Sequence, residues 1–371
     1  MKIDFIDSIS QIPAAQWQRL NNSDSPFLQQ SFFNALETSH STVAANGWTP
    51  HHMLVHNEDN QLKAILPLYI KQHSWGEFVF DWAWADAFER HGYAYYPKLV
   101  STIPFTPVSS DKLLSSDISQ YQIMQSLTEH CQQQDFNSWH LLFCPTSEQL
   151  PNDVFSRHTV QFQWFNRDYL DFEHFLSTFT ARKRKNTNKE RLSIASQGLT
   201  IQRFRTDQIS ERELDFFYLT YQLTYAKRGH SPHLTKAFFQ QIIADPASNV
   251  LLVIASYQQN YVAAAWFFVD QHQLYGRYWG CTEYFPNLHF ELCYYQGIEF
   301  CIEHKLHGFN PGTQGEHKIQ RGFEPILTHS YHWIKQAEFR PAIKDFCAQE
   351  RQQLRAYQRQ CQLALPFKNA D

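Results

Sequence analysis

The residues best suited to chemistry lie between His289 and Pro325. A Gly-bracketed run, Gly312-Thr-Gln-Gly-Glu-His-Lys318, is followed there by Gln320-Arg321-Gly322. Polar groups of both signs packed between glycines suit a site better than a core. Aminolysis of an ester or thioester would use them directly. The attacking amine must lose a proton, the tetrahedral oxyanion must be stabilised and the leaving group must be protonated. Lys318 could hold the oxyanion, and His317 or Glu316 could take the proton, His317 having the better ordinary pKa for the task. Arg321 could hold a donor phosphate. A salt-bridged surface turn is the alternative reading of Glu316, His317 and Lys318.

A second candidate is the basic segment 182–205. It holds Arg182, Lys183, Arg184, Lys185, Lys189, Arg191, Arg203 and Arg205 against a single acid, Glu190, a local balance of +7 in a chain of net charge −4. Basic residues at the start of a helix oppose its macrodipole. Binding of a phosphorylated ligand would account for them, with Arg182, Arg184 and Lys185 as the leading contacts; a solvated helix face is the alternative. A third cluster, His73, Glu77 and Asp81 beside Trp75, Trp82 and Trp84, could line an acceptor pocket at the end of an apolar strand. The alternative there is an aromatic core with a few hydrogen-bonded partners.

These clusters must be positioned by an alternation of strands and helices. In the first half the pattern predicts a strand at 2–6, helices at 13–20 and 29–38, a hairpin over 53–71, a buried aromatic stretch at 78–84, a helix at 118–133 and a strand at 139–143. In the second half it predicts a strand at 161–169, helices at 172–179 and 182–196, a strand at 199–205 and helices at 211–227 and 235–244. A three-strand meander over 250–281 follows, then a helix at 289–306, a short strand, the charged loop, a strand at 328–335 and a helix at 342–363. Both halves offer the same element order around a mixed sheet. With 371 residues, 43% of them hydrophobic and 16% aromatic, the chain can bury sizeable cores and two domains are expected, 1–160 and 161–371.

Composition excludes several classes. The slightly negative net charge supplies no global field for nucleic acid. No run of about 18 apolar residues predicts a membrane span. The opening residues lack the apolar core of a signal peptide, and seven unpatterned cysteines suit a reducing compartment, so a cytoplasmic protein is expected. His52 with His56, and His304 with His307, have ligand-like spacings but no third ligand, so no metal is expected. No GxGxxG, P-loop or GxSxG motif occurs.

Three motifs resemble a known family. Thr180-Ala-Arg-Lys-Arg-Lys-Asn-Thr-Asn-Lys-Glu-Arg-Leu192, followed by Gly198 and a strand, resembles the K-x-R-x-x-I-R-x-A-x-x-x-G segment of FemAB peptidyltransferases. His317-Lys-Ile-Gln-Arg-Gly-Phe323 resembles that family's F-K-x-x-F-G element. Gly76-Glu-Phe-Val-Phe-Asp-Trp82, Tyr95-Tyr-Pro-Lys-Leu99, Pro104-Phe-Thr-Pro107 and Gln314-Gly-Glu-His-Lys318 look like its FemAB-like peptidoglycan biosynthesis/recognition branch. The resemblance covers nearly the whole chain. It implies a mixed α/β fold of tandem GNAT-like domains, the acceptor's phosphates on the 182–185 segment, and an acyl or aminoacyl group passed to an amine such as that of a peptidoglycan precursor. The donor it implies is aminoacyl-tRNA, a co-substrate in place of any tightly bound cofactor; acyl-CoA is the alternative. The loop Tyr284-Phe-Pro-Asn-Leu288 has no glycine to admit a CoA pyrophosphate. A non-catalytic GNAT-fold binding protein would also lack that loop.

Overall fold

The computed structural model describes residues 1–115, 117–313 and 315–368, so Gln314 of the Gly-bracketed cluster lies outside the described residues. The chain divides into two compact units. One is Met1–Val160 with Leu327–Tyr357, the other Gln161–Ile326 with Gln358–Asp371.

The first unit opens with β1 (Lys2–Ile6), α1 (Ala14–Leu20) and α2 (Gln30–Thr38), followed by β2 (Trp48–Pro50), β3 (His52–His56), β4 (Leu62–Leu66) and β5 (Tyr69–Lys71). Next come α3 (Trp82–Arg90), β6 (Lys98–Ser101), β7 (Leu114–Ser115), α4 (Gln120–Gln133) and β8 (Ser138–Cys144). Strands β1, β3, β4 and β7 form one antiparallel sheet. A second sheet runs β2–β5–β6 antiparallel, then β6 parallel to β8. Parallel neighbours need a crossover element, and α4 is part of it, started by a Ser119–Gln122 capping box. The stretch 78–84, expected to be buried, is so only in part: Val79 and Trp84 are buried. Residues 73–81 form turns, and α3 begins at Trp82 with Phe80 and Trp82 exposed. Glu77 and Asp81 therefore belong to a loop, where sequence alternation carries no signal.

Strand β9 (Val154–Phe165) leads into the second unit, which continues with α5 (Phe172–Ser177), α6 (Ala181–Ser196), β10 (Leu199–Arg205), α7 (Glu211–Ala226) and α8 (Lys236–Ala244). The meander is β11 (Val250–Tyr257), β12 (Asn260–Val269) and β13 (Gln273–Cys281). Three abutting segments, Leu288–Phe290, Glu291–Tyr295 and Gln296–Glu303, form α9, and β14 (Gly308–Asn310) follows. Strands β10 to β13 pair antiparallel in order, and β13 then pairs parallel to β14. Strands β11 and β12 are nearly continuous apolar runs because both of their faces are buried. Phe217, Tyr221, Phe239 and Trp266 fill the space beneath them, with Phe239 edge-on to the other three rings.

The chain closes with β15 (Glu324–Ile334) and α10 (Arg340–Leu363). Residues 327–357 were expected in the second domain, but they pack in the first unit. Strand β15 pairs antiparallel with β8. Ile343 and Cys347 of α10 join Trp84, Phe88 and Tyr95 in one core cluster. Arg157 donates two hydrogen bonds of 2.8 Å to Glu350. In the second unit the matching place beside β14 is taken by the end of β9, through Trp164 and Phe165. Each unit thus takes a strand that adjoins the other unit in sequence: β15 beside β8 in the first, the end of β9 beside β14 in the second. Linear reading assigns a strand to its sequence neighbours, so it misses this exchange.

Helix α7 lies unusually close to β13. A Cβ added at Gly280 would stand 2.0 Å from the carbonyl oxygen of Thr220, and Thr224 donates to the Trp279 carbonyl at 2.8 Å. Gly280→Ala should therefore destabilise the second unit by about 1–3 kcal/mol or more through overpacking. Urea unfolding would measure it; an unchanged midpoint would mean that α7 moves aside freely.

Candidate functional site

The expected site residues of the second unit converge on α6 and the 3-10 turn Glu316–Arg321. The turn is entered at Gly315 (φ 109°), where a Cβ would collide with the His317 ring, and left at Gly322 (φ 85°). Both glycines are required by this backbone. Within the turn the three candidate side chains diverge. Glu316 is exposed. The His317 ring contacts the Tyr294 hydroxyl, Nε2 to Oη 2.7 Å. Lys318 points inward, 1% exposed, and donates to the carbonyls of Gly312 (2.7 Å) and Thr313 (3.0 Å). Arg321 stacks on Phe290 at 3.4 Å, donates to the His317 carbonyl at 2.7 Å, and places Nη2 2.8 Å from both oxygens of Glu190.

Glu190 is also bonded by the Tyr295 hydroxyl. Consecutive tyrosines, Tyr294 and Tyr295, thus serve His317 and Glu190. They sit in the π-helical segment Glu291–Tyr295 of α9, a local distortion frequent at functional sites. The start of α9 is tied to α6 as well: Asn287, in the left-handed region, donates to Ser193 at 3.0 Å, and Gln197 donates to the Pro286 carbonyl. Two adjoining clefts, of about 230 and 170 Å³, run along α6 and share Asn186 and Glu190; Lys189 and Asn287 border the first, Lys183 and Arg321 the second.

The basic segment divides by function. Arg191 pairs with Glu291 and Glu299, and Arg203 with Glu299 and Glu303, so both dock secondary structure. Arg205 bonds Asn249, and Lys183 bonds Gln320. Arg182, Arg184, Lys185 and Lys189 make no side-chain ion pair among the described residues, and Arg182, Lys185 and Lys189 are exposed. They remain available to an anion.

A further feature lies where β13 leaves β14. The two strands pair only over Gln273–Tyr275, and β13 then bulges at Arg277, the extra residue opposite Trp266 and Phe267. Arg277 bonds the Gly276 carbonyl (2.8 Å) and Asn310 (3.2 Å). Burial pushes its guanidinium down to about 10. Burial, reinforced by Arg277, pushes the Lys318 ammonium down to about 7. Burial, then Lys318 and Arg321, also lowers His317, which favours the neutral imidazole a proton acceptor needs.

In the first unit, Glu77 and Asp81 are brought together but do not line an open pocket. Their carboxylates are 1% and 3% exposed and clasp Lys98, itself fully buried, at 2.9 and 2.5 Å. Ser74 accepts from Lys98 at 2.7 Å, and Tyr95 donates to Asp81 at 2.6 Å. Asp81 precedes α3 yet makes no capping bond, its carboxylate being committed to this cluster. Burial would raise Asp81, but Lys98 holds it well below the carboxylate range. Burial prevails for Glu77, up to about 7, so Lys98–Asp81 is the firmer of the two ion pairs. His73 stands apart, its ring over Gly47 and its Nδ1 accepting from the Trp75 amide. Beyond this cluster lie two neutral buried imidazoles, His140 and His332, with Nδ1 atoms 2.7 Å apart.

The sequence reading passed over Glu190, Tyr294, Tyr295, Arg277, His140 and His332. Two signals were present: one acid inside a basic helix, and an arginine in an otherwise apolar strand pattern.

Lys98→Met should cost roughly 3–5 kcal/mol, because it strands a buried carboxylate. Adding Asp81→Asn should recover part of that loss in urea unfolding; strict additivity would mean that the two groups are uncoupled. For Lys318 the folded pKa of about 7 lies below that of an unfolded lysine. The unfolded chain therefore binds the extra proton, and stability rises with pH from about 7 to about 10.5. Lys318→Met should lose that contribution, so its stability relative to the parent should fall across this window. A constant difference would contradict the assignment.

Among known proteins, the family described as FemAB-like, peptidoglycan biosynthesis/recognition, matches residues 8–369. No curated protein matches the chain. Among solved structures it is similar to the C-terminal DUF2156 domain of an Agrobacterium fabrum protein assigned as a lysylphosphatidylglycerol synthetase. The identity is 9% and the TM-score 0.53, over 92% of this chain and 97% of that one. It is similar also to a conserved protein of unknown function from Bacteroides thetaiotaomicron, at 11% identity and TM-score 0.50 over 90% and 100% of the two chains. FemX is similar at 12% identity and TM-score 0.48, over 93% and 100%. Likeness at 9–11% identity speaks for fold alone, here mixed α/β. The expected family is therefore the observed one: the chain belongs to the FemAB-like family of peptidoglycan biosynthesis and recognition.

Proposed function

We propose that the protein is an N-acyltransferase that joins an acyl or aminoacyl group to the amine of a phosphate-bearing acceptor, a cytoplasmic peptidoglycan precursor being the acceptor class. One juxtaposition carries the reading. A groove bordered by Lys183 and Lys189 of α6, a helix that also carries Arg182, Arg184 and Lys185, adjoins a turn whose Lys318 is buried near Arg277, where β13 and β14 part. Arg182, Arg184 and Lys185 hold phosphate, as point charges and forked donors do. His317 receives the proton of the attacking amine. Lys318 spends two of its hydrogens on the carbonyls of Gly312 and Thr313, and the third can meet a developing oxyanion. Arg321, expected on a donor phosphate, instead fixes the turn through Glu190 and the His317 carbonyl. Glu316 is exposed on the turn. Glu77 and Asp81, through Lys98, stiffen the loop that carries His73.

The glycine-free loop before α9 favours aminoacyl-tRNA over acyl-CoA as donor, because bulky side chains crowd a pyrophosphate. One observation favours a second reading, non-catalytic recognition of a cell-wall precursor: Lys318 is 1% exposed and already bonded.

A thermal-shift panel with an acyl-CoA, a UDP-linked peptidoglycan precursor and a charged tRNA separates these readings. A ligand that binds the native state at a hundred times its Kd stabilises by about 2.7 kcal/mol. The precursor should raise the melting temperature. Arg182→Ala with Arg184→Ala should weaken its binding by roughly tenfold and flatten the salt dependence. Lys318→Ala should depress transfer far more than precursor affinity. Equal loss of both would favour recognition without catalysis. A shift with acyl-CoA alone would overturn the preferred donor.

A further inference from the structure

We infer that Glu190 is the specificity-determining residue of the α6 groove and selects ligands that carry a primary ammonium group beside their anionic part. The inference rests on the reading of this groove as an acceptor site. Glu190 is the one acid within residues 182–205 and borders both clefts. Its carboxylate is held in place by Arg321 Nη2, 2.8 Å from each oxygen, and by the Tyr295 hydroxyl on Oε2. A carboxylate offers about four acceptor positions. These three bonds leave one, on Oε1, and 27% of the side chain is exposed.

The surrounding charge defines the ligand. Arg321 offsets the charge of Glu190, which leaves Lys183 and Lys189 as the net charge bordering the groove, so an anion is favoured overall. The free position on Oε1 demands a donor, and an ammonium makes the strongest hydrogen bond to a carboxylate. A ligand with the anion alone therefore binds less tightly. Arg321 and Tyr295 act here as positioning residues, because they orient the carboxylate without meeting the ligand.

Isothermal titration of the full chain tests this with two probes: a UDP-linked peptidoglycan precursor with a free lysine amine, and the same precursor acetylated on that amine. The parent protein should bind the free amine at least roughly tenfold more tightly. Glu190→Gln should bind both probes about equally, with the affinity the parent has for the acetylated probe, which also shows that the variant is folded. Equal binding of the two probes by the parent overturns the inference and leaves the acceptor reading standing. So does a preference that survives in Glu190→Gln. Binding of neither probe by the parent overturns both. If Glu190→Gln binds neither, Tyr295→Phe decides: it keeps the carboxylate and must keep the preference, and loss of the preference counts against Glu190.

Discussion

The candidate site depends on the Arg321 guanidinium. It sits over the Phe290 ring, reaches the carboxylate of Glu190 and donates to the carbonyl of His317. One planar group with donors fixed in a fork thereby joins α9, α6 and the 3-10 turn. Its placement sets which way the turn faces, and so which of three consecutive polar residues is buried. A lysine there would supply the charge but neither the stacking nor the forked geometry.

Lys98 and Lys318 are buried in different ways. Lys98 is balanced by carboxylates, so it stays charged and locks the loop that holds Glu77 and Asp81. Lys318 is bonded to carbonyl dipoles near a second cation, so its proton is held weakly at neutral pH. A buried ion pair gives conformational fixity, whereas a buried lysine with a lowered pKa is poised for proton exchange. The second arrangement suits chemistry better, and the first suits a frame. His140 and His332 extend the frame as neutral donor and acceptor rather than as charges.

Much of this was legible in the sequence. The β11–β12–β13 meander follows from long apolar runs and a Gln258-Gln-Asn260 turn, and α6 from its stop at Gly198. The Gly-bracketed turn was recognisable because Gly315 and Gly322 adopt backbone angles that other residues avoid. The basic segment was legible as a cluster, but its division into docking arginines and free cations was not. Arg191 and Arg203 differ from Arg182 only in having Glu291, Glu299 and Glu303 in reach, about 100 residues away in sequence. Glu77 and Asp81 were likewise visible as polar residues, yet Lys98, their partner, lies beyond α3 on β6.

By itself, the sequence determined the element types, the family and the places where charge gathers. Those are local properties: periodicity, turn chemistry and the spacing of motifs act within a few residues. The tertiary structure alone decided that β15 pairs with β8 and the end of β9 with β14, that Lys318 turns inward while Glu316 stays in water, and that Glu190 borders the groove under the hold of Arg321 and Tyr295. Each of these results from which distant backbone or side-chain group meets which. Strand pairing and the desolvation of a charge depend on neighbours in space, and only the folded chain specifies those.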